Sequence, residues 1–244
     1  MSVRLSILGS GGAFSGCGFN ASSVLDERVM VDVGAPPHVL VPRLGLRIQD
    51  IELVLLTHFH LDHVGMLPLL LGALAHADDP PEPGRLAIAG PIGTLELVRR
   101  MTVAGFGGST QRRIEEVVAP RYVLLQDGSD VLIGDSRVRS HSVVHSTCPS
   151  LAYSVTRGGL RVGFTGDTTL CAGLRRLAGE VDVLVCECSG VDGPVNGGHL
   201  WRDEVAELVR EHPKVRFVLN HLAGRVSVPG ALTAHDLLTL ELAA

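Results

Sequence analysis

Short apolar runs punctuated by glycine and proline recur along the chain, and longer segments that read as helices lie between them. Residues 3–8, 51–56, 86–89, 160–164, 181–186 and 215–219 are compact, apolar and suited to strands. Residues 22–25 and 28–32 read as a hairpin, with further strands at 117–124, 130–133 and 137–141. A buried helix is expected over 64–77 and another over 92–104, followed by a flexible glycine-rich connection at 105–110. A helix opens near residue 197 with His199 at its start. Residues 232–242 are weakly amphipathic and their type stays open. Strands alternating with helices fit an α/β protein.

The densest chemistry lies where the run 51–56 meets the helix at 64–77. Thr57-His58-Phe59-His60-Leu61-Asp62-His63 places four metal-ligating side chains within six residues. If its first part is extended, His58 and His60 project to one side and can share an ion. Asp62 and His63 are adjacent at a helix start, where successive side chains diverge by roughly 100°, so they suit a second ion. Imidazole favours zinc, iron or manganese, and a carboxylate adds charge and hardness. One histidine in such a place is better read as a satisfied core or loop residue, but four ligands at this spacing are not.

Composition narrows the setting. With 244 residues, 45% hydrophobic content and a mean hydropathy of +0.30, the chain supports a sizeable core, and residues 1–244 are expected to form a single domain. The net charge of -5 and the absence of any basic run leave no footprint for a long nucleic acid. The pairs Arg99-Arg100, Arg112-Arg113 and Arg175-Arg176 read as solvated helix faces. The start of the chain lacks the pattern of a signal peptide, and residues 64–77, broken by Pro68, are too short for a membrane span. Five cysteines without framework spacing fit a reducing compartment, so a cytoplasmic location is expected. A dinucleotide-binding loop is excluded at Gly9-Ser-Gly-Gly-Ala-Phe14, because Phe14 stands where the last glycine is needed and a hairpin follows.

His58-x-His60-x-Asp62-His63 resembles the signature of the metallo-β-lactamase fold superfamily, and later strand ends carry more of the pattern. Asp32 ends the second hairpin strand. By itself it would cap the helix near Pro36, whereas the resemblance implies support of the metal-binding loop from behind. His141 and His145 compete for the next ligand position. The segment from His145 to Tyr153 resembles the ribonuclease Z and cyclic phosphodiesterase branch, which favours His145. Asp167 in Thr165-Gly-Asp-Thr168 takes the place of the family's bridging carboxylate, and His221 follows the last clear strand. Asn220 stands where most relatives have threonine. Cys186 and Cys188 straddle Glu187 and read as packed thiols.

The resemblance implies a four-layer αββα sandwich of two mixed β-sheets. It implies that His58, His60 and His145 hold one ion, that Asp62, His63 and His221 hold the other, and that Asp167 bridges them. The ions would be two divalent metals, zinc first, with manganese or iron as alternatives. Two ions about 3.5 to 4 Å apart lower the pKa of a shared water and stabilise negative charge on the attacked centre. Asp62 would also orient that nucleophile or act as its base, and Glu187 with His199 would assist the departing oxygen. The implied substrate is a small or cyclic phosphodiester, or an RNA end. The long basic arm by which ribonuclease Z grips transfer RNA has no counterpart here, residues 105–116 being short. A lactone or thioester hydrolase, or a non-hydrolytic metal-binding or redox protein, are the alternatives, and a homodimer stays open.

Overall fold

The computed structural model describes residues 2–146, 149–195 and 197–243, so Cys148 lies outside the described residues. Among the described residues, fourteen strands form two seven-stranded sheets. The first contains β1 (Ser2–Gly9), β2 (Ser22–Leu25), β3 (Val29–Val31), β4 (Leu53–Leu55), β5 (Ala87–Gly90), β6 (Arg121–Leu124) and, beside β1, the final strand β14 (Leu238–Ala243). The second runs in order from β7 (Asp130–Ile133) through β8 (Ser136–Ser142), β9 (Leu151–Arg157), β10 (Leu160–Phe164), β11 (Val183–Glu187) and β12 (Arg216–Asn220) to β13 (Ala231–Thr233). Both sheets are mixed in the same way: one half is antiparallel, and the other half, β3 to β6 and β10 to β13, is parallel.

The period-two alternation of the strands creates the layers. In β4, Leu53 and Leu55 enter the core between the sheets, whereas Val54 and the following Leu56 face helices. In β11, Val183 and Val185 face inward while Leu184 and Cys186 turn outward. On the first sheet the covering helices are α1 (Pro37–Arg43), α3 (Leu67–Ala75) and α4 (Thr94–Val117). A four-residue helix, α2 (Leu61–Val64), precedes α3. On the second sheet they are α5 (Ala172–Ala178) and α6 (Arg202–Glu211). Apolar side chains on both faces of both sheets explain why the central strands read as continuous apolar runs.

Several expectations need correction. The helix expected over 64–77 is two helices. Pro68 sits at the second position of α3, where no intrahelical N–H is required. The connection expected at 105–110 is narrower than expected: two helical stretches, together α4, meet at a kink at the non-helical Gly107 (φ 80°), and helix resumes to Val117. The following strand therefore begins at Arg121 rather than 117. Residues 232–242 contribute β13 and β14, which belong to different sheets. Asp32 caps nothing, since α1 starts behind Pro36 without a side-chain cap.

Candidate metal centre

The ends of β3, β4, β10, β11 and β12, with the loop joining β8 to β9, converge at one edge of the sandwich. The backbone there is unusual. Asp32 (φ 57°) and His221 (φ 52°) both hold positive φ, which costs non-glycine residues on the order of 1–3 kcal/mol and recurs at functional sites. Gly166 (φ 56°) does so cheaply, and a Cβ there would meet the Thr57 side chain at 2.7 Å. That glycine lets the Asp167 turn press against the histidine-rich loop.

Asp32 organises the loop from behind. Its Oδ1 accepts the Thr57 N–H at 2.8 Å, and its Oδ2 accepts the Thr57 hydroxyl at 2.8 Å and His63 Nδ1 at 2.7 Å. Because the Thr57 hydroxyl donates to Asp32, it accepts from His58 Nδ1 at 3.1 Å. His145 Nδ1 donates to the Gly198 carbonyl at 3.0 Å, and His221 Nδ1 meets the Ser189 hydroxyl at 2.9 Å. Each of these four imidazoles thus has one nitrogen held by the protein and the other turned to the centre, the arrangement that fixes tautomer and direction in ligand histidines.

The inward atoms form two overlapping sets. Donors of His58, His60, His145 and Asp167 lie within 4.8 Å of one another, as do those of Asp62, His63, Asp167 and His221. His145 Nε2 is 3.1 Å from His60 Nδ1, and Asp167 Oδ2 lies 3.7 Å from His58, 3.6 Å from His145 and 3.4 Å from His221. Asp167 Oδ1 is 3.2 Å from His63 Nε2, and Asp62 Oδ2 is 3.1 Å from His221 Nε2. His58 Nε2, His63 Nε2 and Asp167 Oδ1 are buried without any hydrogen bond. Orphaned buried polar atoms are costly, and here they point at one another across a space that cations fit. His141 is not in either set; it pairs with Glu180 at 2.7 Å.

The electrostatics of the two sets differ. Burial pushes the His58 pKa down to about 2 and also lowers that of His145, so both rings are neutral with a lone pair to offer. Burial also opposes charge on His63 and His221, but Asp167, with Asp32 for the first and Asp62 for the second, outweighs it and raises both. Asp62 and Asp167 are held below the usual carboxylate range, the hydrogen bonds and charges of the histidines exceeding the cost of burial. These carboxylates draw positive charge to the Asp62 side.

Glu187, at the end of β11, accepts the Thr168 N–H at 2.6 Å through Oε1 and the Ser189 hydroxyl at 2.9 Å through Oε2. His199 Nδ1 is 3.1 Å from Oε1. Burial raises the Glu187 pKa, and the Glu187 carboxylate raises that of His199 against its own burial. His199 lies in the loop before α6, three residues ahead of Arg202, rather than on the helix itself. Cys186 and Cys188 are packed under α5 and α6, and burial pushes the Cys188 thiol up to about 12. Thr57 and Ser189 had no role in the sequence reading. Thr57 adjoins the histidine motif, a usable signal, but nothing local marks Ser189.

The sequence profile of the Metallo-beta-lactamase superfamily matches residues 16–221. A ribonuclease Z of Metallosphaera sedula is 24% identical over 254 aligned positions, covering 88% of this chain and 86% of that protein. The crystal structure of human tRNase Z, short form, superposes with a TM-score of 0.79 at 20% identity, covering 99% of this chain and all of that one. The Zn2+-bound PqqB of Methylobacterium extorquens superposes at 0.64 and 18% identity, covering 98% and 100% of the two chains.

Proposed function

This chain belongs to the metallo-beta-lactamase superfamily, and from that premise we propose that it is a dinuclear metal-dependent hydrolase of phosphodiesters, built as a single domain. The observation that carries the reading is the convergence of four histidines, each held by the protein through one nitrogen and turned inward through the other. His58, His60 and His145 would hold one ion, Asp62, His63 and His221 the other, with Asp167 between them, and zinc suits this nitrogen-rich donor set. Two divalent ions there would supply Lewis acidity, making a water nucleophilic at neutral pH and neutralising charge on the attacked phosphate.

The chain's own residues do the rest. Asp62, beside His221 and His63, orients the attacking water and accepts its proton. His199, stacked on His221 and within reach of Glu187, donates a proton to the departing oxygen; Glu187 holds the ring in place through Nδ1. The elimination of an alkoxide is thereby assisted without a serine or cysteine nucleophile. The resemblance to ribonuclease Z favours phosphodiesters, while the acidic net charge and the absence of a basic arm favour a small or cyclic phosphodiester over a long RNA. No described helix is long and apolar enough to cross a membrane, and the unpaired described cysteines support a cytoplasmic setting.

Metal content by mass spectrometry, with hydrolysis of bis(p-nitrophenyl) phosphate by the same zinc- or manganese-loaded sample, tests the reading. Two ions per chain, and turnover abolished in Asp62→Ala, are expected. Two ions without turnover would redirect the reading to lactones or thioesters, and a chain that binds no metal under any loading would end it.

A further inference from the structure

Residues 10–21 join β1 to β2, and both ends of this loop are fixed from the far end of the chain. Asp236, in the segment between β13 and β14, accepts the Ser10 N–H and hydroxyl through Oδ1, each at 3.0 Å, and the Phe19 N–H through Oδ2 at 2.9 Å. Both carboxylate oxygens are thus given to one loop. Gly18 makes the approach possible, since a Cβ there would meet Asp236 Oδ1 at 2.4 Å and any side chain would displace the carboxylate.

The same bonds continue to His221. The Ser10 carbonyl accepts the Leu222 N–H at 2.8 Å, and the Leu222 carbonyl accepts the Gly12 N–H at 3.0 Å, so the loop holds both backbone groups of Leu222. Its neighbour His221 has positive φ (52°), a conformation that a non-glycine residue keeps only where its surroundings over-determine it. Gly12 closes on the ring as well: a Cβ there would lie 3.1 Å from the imidazole Cε1. On the other side, the Ala234 N–H donates to the Leu219 carbonyl at 2.9 Å, which ties the segment carrying Asp236 to β12, the strand that delivers His221. Asp236 therefore stands where the chain crosses from one sheet to the other, and it couples the ends of β1 and β12. His58 and His145 are held from elsewhere, by Thr57 and by the Gly198 carbonyl.

We propose that Asp236 is a positioning residue for His221: through Ser10 and Leu222 it holds the strained backbone that brings His221 Nε2 to 3.1 Å from Asp62 and 3.4 Å from Asp167. Asp236 belongs to neither donor set and acts only through the backbone of its neighbours. Its consequence for metal rests on the two-ion reading, in which His221 serves one ion and not the other. The ion held by Asp62, His63 and His221 depends on Asp236, whereas the ion held by His58, His60 and His145 does not. Loss of the carboxylate weakens the dependent ion by roughly tenfold, the low end of what outer partners of ligand side chains contribute.

Two measurements on the full chain separate this role from general destabilisation. In zinc titrations against a chromophoric chelator, Asp236→Asn is expected to weaken one of two ions by roughly tenfold and to leave the other at its wild-type affinity. In hydrogen–deuterium exchange of the metal-free chain, the Leu222 amide is expected to exchange about tenfold faster in Asp236→Asn, while peptides spanning residues 58–63 keep the wild-type rate. Ser10→Ala, which removes only the hydroxyl bond, shifts the same ion and the same amide by smaller factors. Equal weakening of both ions, or of neither, overturns the proposal, as does unchanged exchange at Leu222. A wild-type chain that binds no metal would end the hydrolase reading instead, and faster exchange at Leu222 in Asp236→Asn would still uphold the hold of Asp236 on His221.

Discussion

Two clusters of charge, one on the surface of the second sheet and one at the edge where strand ends of both sheets converge, differ in a way that shows what marks a site. On the surface of β7 to β10, Arg137 and Arg139 bond Asp130 at 2.7 and 2.9 Å, Arg139 reaches Glu180 at 3.1 Å, and Arg161 pairs with Asp182 at 2.7 Å. Each carboxylate there has a guanidinium partner and is partly exposed to solvent. At the strand ends, Asp32, Asp62, Asp167 and Glu187 are buried, and the ion-pair partners they have among the described residues are histidines. Histidine nitrogens and a carboxylate oxygen are left there without hydrogen bonds. The surface cluster is complete as it stands. The buried one is balanced only by added positive charge, because buried carboxylates need a cation nearby.

The comparison can be broken in a graded series. The largest effect is expected at the centre of the buried cluster: Asp167→Ala should lower bound metal by about one ion per chain and reduce turnover by about a thousandfold, equivalent to about 4 kcal/mol of transition-state stabilisation. Metal analysis and kcat/KM on one preparation check this, and His63→Ala should lose about one ion likewise. Unchanged stoichiometry in both variants would undo the two-ion assignment. Asp32→Asn comes next. It touches no substrate, yet it disturbs the acceptor shared by Thr57 and His63, and zinc affinity should fall about 10- to 100-fold in competition with a chromophoric chelator.

The smallest effect is expected in the surface cluster. Asp130→Asn should leave metal content and turnover at wild-type values and barely move the melting midpoint, since exposed ion pairs contribute little. The sign of its pH dependence is fixed. Arg137 and Arg139 hold the Asp130 carboxyl below its ordinary value, so its contribution is present above that ordinary value and is lost as pH falls. The melting midpoints of wild type and Asp130→Asn should therefore converge in acid. A loss of metal in this variant would show that the two clusters are coupled.

Much of the candidate site was legible because its candidate ligands follow strand ends, where a run of apolar residues stops and a polar side chain begins. His58, His60, Asp62 and His63 are close in sequence, and the structure puts them in the two sets that their spacing suggests. His60, just ahead of α2, keeps extended dihedrals (φ -67°, ψ 146°), as the division between the sets requires. His145, Asp167 and His221 were found only through the resemblance, since each alone is an ordinary loop or turn residue. Ser189 escaped both routes. Its hydroxyl reaches Glu187 and His221, residues 2 and 32 positions away, and no local pattern encodes that junction. The misread segments have local causes too. Gly105, Gly107 and Gly108 lower helix propensity, but packing against α3 and β5 keeps α4 helical apart from its kink.

By itself the amino-acid sequence determined the strands, their two-sided burial and the four candidate ligands of the histidine motif, because alternation and short-range spacing are properties of neighbouring residues. Only the tertiary structure decided which nitrogen of each histidine faces inward, that Asp32 ties Thr57 and His63 together, and that Asp236 pins the loop bearing Phe14 beside His221. Those relations join residues tens to hundreds of positions apart. They exist only after both sheets have packed and brought their strand ends to one edge, since a hydrogen bond reads distance in space and not distance along the chain.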